Sequence, residues 1–110
     1  MADVWVKRQT PHNVTRTYEN GLIRADSINR LEANNRAVVA SQLDAEEPYE
    51  IACPQIGKPL PEGFHLAFLA ALSTTRFRAR GSDEDLVLVA EHAEDTWRWS
   101  TYTASELWNS

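Results

Sequence analysis

The sequence predicts an α+β domain in which one mainly antiparallel sheet of about five to six short strands packs against one principal helix at residues 62–76. Two observations carry this prediction. Short apolar runs separated by hairpin-length turns precede a single stretch with helical spacing, and two more strand-like runs follow it. The chain has 110 residues, the usual size of one domain, so residues 1–110 are expected to form a single globular unit.

Turn residues divide the amino-terminal half into short strands. Asn20-Gly21 is a strong hairpin signal, and Asn34-Asn35 suits a two-residue turn because Asn tolerates positive φ. The segment 54–61 holds three prolines and is expected to be a stiff connection. Six segments before the helix have strand character: 4–8, 15–18, 22–25, 29–33, 37–43 and 49–53. The five to six strands of the sheet are expected to come from these segments and from two runs after the helix.

The predicted helix is apolar over most of its circumference. One face carries Phe64, Phe68 and Leu72, and Leu66 and Leu69 widen the apolar arc well beyond that face. Such a helix is either covered on a second side within the domain or offers a surface to a partner. After it, 86–90 is apolar on both faces, as in a central strand, 97–102 alternates, and 105–108 is expected to be a last helical turn.

Charge and cysteine content exclude several classes of protein. The net charge of −5 disfavours general binding to phosphate backbones and anionic lipids. The single cysteine, Cys53, cannot form an intramolecular disulfide, and the first residues do not resemble a signal peptide, so a cytoplasmic protein with no membrane role is expected. The four glycines are widely separated, which argues against a phosphate-binding loop.

No local pattern of catalytic or metal-binding residues is present in the sequence. The histidines and Cys53 lack the spacing of a metal chelate, so no metal and no cofactor are expected. The acidic pairs fall in predicted exposed turns, where carboxyl groups keep ordinary pKa values and serve poorly in acid–base catalysis. We therefore expect no enzyme. The one enzymatic alternative pairs Cys53 with His65 and requires a lowered thiol pKa.

Aromatic residues carry the leading functional hypothesis. The chain has four tryptophans, three of them within its last fourteen positions, and tryptophan is enriched at interaction hot spots. We expect a small non-enzymatic accessory protein of bacterial or phage type, which forms a homodimer or binds another protein through the apolar helix or the Trp-rich carboxyl-terminal strand. The candidate interface residues are Phe64, Phe68, Leu72, Trp97, Trp99 and Trp108.

The alternative hypothesis is a nucleic-acid-binding regulator. Its candidate contacts are the arginines of the run 76–80, which interleaves cations with Phe77, and one arginine between two tryptophans. About half of the chain, from Ile28 through the helix to Phe77-Arg78, resembles the strand-rich LytTR-type DNA-binding domain, although it lacks that family's Arg and His pattern after the helix. The resemblance implies DNA binding. The candidate nucleic-acid residues are Arg76, Arg78, Arg80 and Arg98.

Overall fold

Seven strands and one long helix form the part of the chain that the computed structural model describes, which is residues 2–9, 21–33, 37–42, 48–55 and 57–108. The strands are β1 Val4–Lys7, β2 Leu22–Arg24, β3 Ile28–Ala33, β4 Val38–Gln42, β5 Tyr49–Ala52, β6 Leu86–Ala93 and β7 Thr96–Thr103. The helices are α1 Phe64–Ala79 and the short α2 Ala104–Trp108.

The strands form two sheets, so the prediction of a single sheet is wrong, whereas the α+β class with one principal helix is confirmed. One sheet has the order β2-β1-β6-β7 and the other β3-β4-β5. All pairings are antiparallel except that of β1 with β6. The chain passes from the four-stranded to the three-stranded sheet through the 3₁₀ turn Ala25–Ser27, and it returns to the four-stranded sheet after α1. Before it, Ile23 pairs with Val6 of β1, and after it, Ile28 pairs with Gln42 of β4.

Most predicted elements are present, with shifted ends. The helix starts at Phe64 and runs three residues beyond its predicted end, to Ala79. Its start is fixed by Gly63, whose φ of +75° lies in the left-handed region that glycine adopts without steric cost. The predicted strand 15–18 and the predicted turn Asn34-Asn35 lie outside the described residues.

The core lies between α1 and the inner face of the four-stranded sheet, and the three-stranded sheet closes one side of it. On α1 the buried side chains recur every three or four residues, which is the spacing of one helix face. They are Phe64, Phe68, Leu72, Thr75 and Ala79. The strands contribute mainly small and β-branched side chains to the same cluster, among them Val4, Val6, Ile23, Val38, Ala40, Ile51, Leu86, Leu88 and Ala90.

Two aromatic side chains cover Val87 on the outer face of the four-stranded sheet, the face that points away from α1. Trp5 of β1 and Tyr102 of β7 are the register neighbours of Val87, and Val87 is only 2% exposed. The polar end of each ring is hydrogen-bonded: the Trp5 indole donates to Asp85 at 3.0 Å, and the Tyr102 hydroxyl donates to Glu91 at 2.6 Å. This arrangement explains how β6 can be apolar on both faces in a domain with one principal helix.

Glu91 is expected to stabilise the fold at neutral pH and to lose this effect as the solution becomes acidic. Burial acts to raise the pKa of its carboxyl, but hydrogen bonds from Ser100 and Tyr102 and the charges of Arg98 and Lys7 outweigh burial and hold the pKa below its ordinary value of 4.5. A carboxyl whose pKa is lower in the folded than in the unfolded state stabilises the fold above the unfolded pKa. This stabilisation is lost as the pH falls through the folded pKa.

Urea unfolding between pH 7 and pH 2 measures this contribution. In the Glu91→Gln variant, the free energy of unfolding should fall less steeply with acidification below about pH 4.5 than it does in the wild type. Glu94→Gln, in the exposed turn between β6 and β7, removes the same charge and is the matched control. Equal slopes for Glu91→Gln and the wild type would contradict the assignment.

Candidate interaction surface

Five of the six predicted interface residues pack inside the domain. Phe64, Phe68, Leu72 and Trp97 are buried, and Trp99 is half-buried at the contact between α1 and β7. These residues hold the helix to the sheet and are not presented on the outer surface of the chain. The sixth, Trp108, is 87% exposed.

The aromatic contacts show how these residues are used. The Trp99 ring stacks on Phe64 with ring centroids 4.9 Å apart and meets Phe68 edge-on at the same centroid distance. Its indole nitrogen donates to the Phe64 carbonyl oxygen at 3.0 Å. The Trp97 indole donates to the carbonyl oxygen of Lys58, also at 3.0 Å. Both indoles therefore bury their rings while keeping a partner for their polar N–H group.

The opposite side of α1 presents a row of exposed residues, which we call the outer seam: Leu66, Ala70, Ser73 and Phe77. Their spacing of four, three and four residues places them on one line along the helix, turned away from the buried face. Leu66 is 61% exposed and Phe77 is 73% exposed. Leu69, at the flank of the seam, is 49% exposed.

The outer seam lacks the charged residues that usually cover a surface helix. From Phe64 to Thr75 the helix contains no Asp, Glu, Lys or Arg. A surface helix ordinarily carries charged and polar side chains opposite its apolar stripe, which keeps that side hydrated. From Phe64 to Thr75 neither side of α1 carries a charge, and only one side is covered within the described residues. Exposed apolar area of this kind makes the outer seam a candidate interaction surface.

Opposite charges lie at the two ends of the outer seam. Glu62 is exposed just before the helix, and Arg78 and Arg80 are exposed at its carboxyl-terminal end. Arg76 differs from them because its guanidinium pairs with Asp26 at 3.2 Å. Arg78 lies within electrostatic reach of Glu106 in α2, and Asp83 and Glu84 are exposed in the turn after the helix. The seam thus has the acidic Glu62 at its start and the basic Arg80 at its end.

The four arginines of the nucleic-acid hypothesis do not form one patch. Trp97 and Trp99 face α1, and side chains alternate along a strand, so Arg98 between them lies on the outer face of the four-stranded sheet. There it is the register partner of Glu91. The other three lie at the end of α1, on the inner side of that sheet. Arg98 also lies five residues along β7 from Thr103, the residue that pairs with Leu86. A strand rises about 3.3 Å per residue, so Arg98 and Thr103 are roughly 16 Å apart.

Cys53 is not arranged as an activated nucleophile. Its thiol donates a hydrogen bond to Glu50 at 2.9 Å. Burial, then the hydrogen bond and the negative charge of Glu50, raise the pKa of the Cys53 thiol well above its usual range. The thiolate, which is the reactive form, is therefore disfavoured, the opposite of what the alternative with His65 requires.

The described part of the chain shows no cluster suited to binding a metal ion. No three side chains of His, Cys, Asp or Glu come together there. The His92 ring packs edge-on against Trp97 at 5.4 Å between centroids. No helix among the described residues has both the length and the apolar character needed to cross a membrane.

No family model, no curated protein and no solved structure matches this chain. The resemblance to the LytTR-type domain therefore gains no support from these comparisons.

Proposed function

We propose that the protein is a small non-enzymatic interaction protein that self-associates as a homodimer through the outer seam of α1. One observation carries the proposal: Leu66 and Phe77 are exposed on an uncharged helix face whose opposite side is fixed to the core. Because Trp97 and Trp99 are used inside the domain, the helix and not the carboxyl-terminal strand supplies the surface.

The small size of the contact favours a reversible dimer. Leu66 and Phe77 of both copies supply four large exposed apolar side chains, and the residues between them are small. Binding energy concentrated in so few side chains gives a weak interface, so the dimer should dissociate on dilution. The net charge of −5 and the separated arginines do not support nucleic-acid binding as a second candidate.

Substituting one seam residue tests the proposal. Phe77→Glu places a charge in the contact and should weaken dimerisation by about tenfold or more, measured by sedimentation velocity over a concentration series. The free energy of unfolding of the monomer should stay within about 0.5 kcal/mol of the wild-type value, because Phe77 is a surface residue.

Leu22→Glu is the matched control. It adds the same charge at another exposed apolar position, 48% exposed in β2 and away from α1, and should leave dimerisation unchanged. Equal dimerisation of Phe77→Glu and the wild type would contradict the proposal, as would equal weakening by both substitutions.

A further inference from the structure

We infer that the second copy binds antiparallel, about a two-fold axis that crosses the outer seam between Ala70 and Ser73. Leu66 of each copy then contacts Phe77 of the partner subunit. This inference rests on the proposed function and adds the orientation and the register of the contact.

The sizes of the seam residues are symmetric about that axis. In a two-fold interface, if residue i of one copy meets residue j of the other, then j also meets i. Leu66 lies as far before the midpoint of the seam as Phe77 lies after it, and Ala70 and Ser73 are placed in the same way. The large side chains therefore meet at the two ends. The small ones meet at the centre, where they allow the helices to approach to about 8 Å.

The charges distinguish the antiparallel arrangement from a parallel one. When two α1 helices run antiparallel, Glu62 of each copy comes to the end that carries Arg80 in the other. A parallel pair would place Glu62 beside a second Glu62 and the arginines beside arginines. The antiparallel arrangement also brings opposite ends of the helix dipoles together.

Self-complementarity identifies the occupant as a second copy of this chain. The order of charges along α1 is complementary to the same sequence read in the reverse direction, with exposed Glu62 before the helix and exposed Arg80 after it. A two-fold contact with a second copy uses this complementarity twice, because each i–j contact is repeated as j–i.

Disulfide trapping tests the register. One chain carries Leu66→Cys, a second and tagged chain carries Phe77→Cys, and the two are oxidised separately and as a mixture. In the antiparallel register, positions 66 and 77 of opposite copies face each other within the 4.4–6.8 Å Cα separation that a disulfide needs. Two positions 66 lie about 16 Å apart along the axis, since eleven residues at 1.5 Å per residue separate the ends of the seam.

The expected result is a cross-linked product that forms in the mixture and joins one tagged and one untagged chain. Wild-type protein oxidised in parallel is the control, since its only thiol, Cys53, is buried. Cross-linking within each variant alone, or no cross-linking of the mixture while the wild type dimerises, overturns the antiparallel register and leaves the proposed function standing. A wild-type protein that stays monomeric overturns both.

Charge reversal provides an independent test at low salt. Glu62→Arg alone and Arg80→Glu alone should each weaken dimerisation about fivefold, because a dimer contains two such pairs worth about 0.5 kcal/mol each. The double variant should regain wild-type affinity within about twofold, because the pairs are then restored in the reverse direction. If the double variant is as weak as the two single effects combined, Glu62 and Arg80 do not meet.

Discussion

Replacing Phe68 by Ala is expected to lower the free energy of unfolding by about 3–5 kcal/mol, the range for removing a buried aromatic ring. Phe68 is fully buried at the centre of the contact between α1 and the four-stranded sheet. Its ring meets the Trp99 ring edge-on, with the two ring centroids 4.9 Å apart. The substitution removes the transfer energy of the ring and leaves a cavity that close-packed neighbours fill only partly. Urea unfolding at a concentration at which the protein is monomeric measures the loss.

Phe77→Ala is the matched control, since it removes the same side chain from the same helix. Phe77 is on the exposed side, so the stability of the monomer should change by no more than about 0.5 kcal/mol. Dimerisation should instead be weakened. Similar losses of monomer stability in the two variants would show that the inner and outer sides of α1 are assigned wrongly.

Trp99→Ala is expected to lower the free energy of unfolding by about 3 kcal/mol, the lower end of the range for a buried aromatic ring, because Trp99 is half-buried. It removes the stacking on Phe64, the edge contact with Phe68 and the hydrogen bond to the Phe64 carbonyl oxygen. That carbonyl group would lose its indole donor, which adds to the cost.

Trp108→Ala provides the comparison for this second prediction. Trp108 is 87% exposed in α2, and its removal should change the free energy of unfolding by no more than about 0.5 kcal/mol. Thermal unfolding and light scattering of the two variants separate stability from association. If Trp99→Ala leaves both properties unchanged, neither the packing role described here nor an interface role is correct.

The periodicity of the sequence was sufficient to locate the main elements. The alternation of 97–102 and the apolar run 86–90 mark β7 and β6, and the helical spacing from Phe64 marks α1. Sheet membership was not predictable in the same way. Val4 pairs with Leu86, more than eighty residues later, and no local pattern encodes such a pairing. The change of sheet at Ala25–Ser27 is set by which partners the strands find.

The candidate site was only partly predictable for a related reason. Periodicity tells which residues share a helix face, but α1 is apolar on more than one face, so it does not tell which face turns inward. The sequence predicts an interface at Phe64, Phe68 and Leu72, but these residues lie in the core. Phe77 belongs to the outer seam, eleven residues from Leu66, although its immediate neighbours are the arginines of 76–80.

The solution mass of the wild-type protein, measured by light scattering over a dilution series at low and high salt, tests the central claim most directly. The proposed interface predicts a mass near twice 12.5 kDa at high concentration that falls toward 12.5 kDa on dilution. Dimer formation should persist at high salt, since apolar contacts supply most of its free energy. A mass of 12.5 kDa at every concentration would contradict the claim.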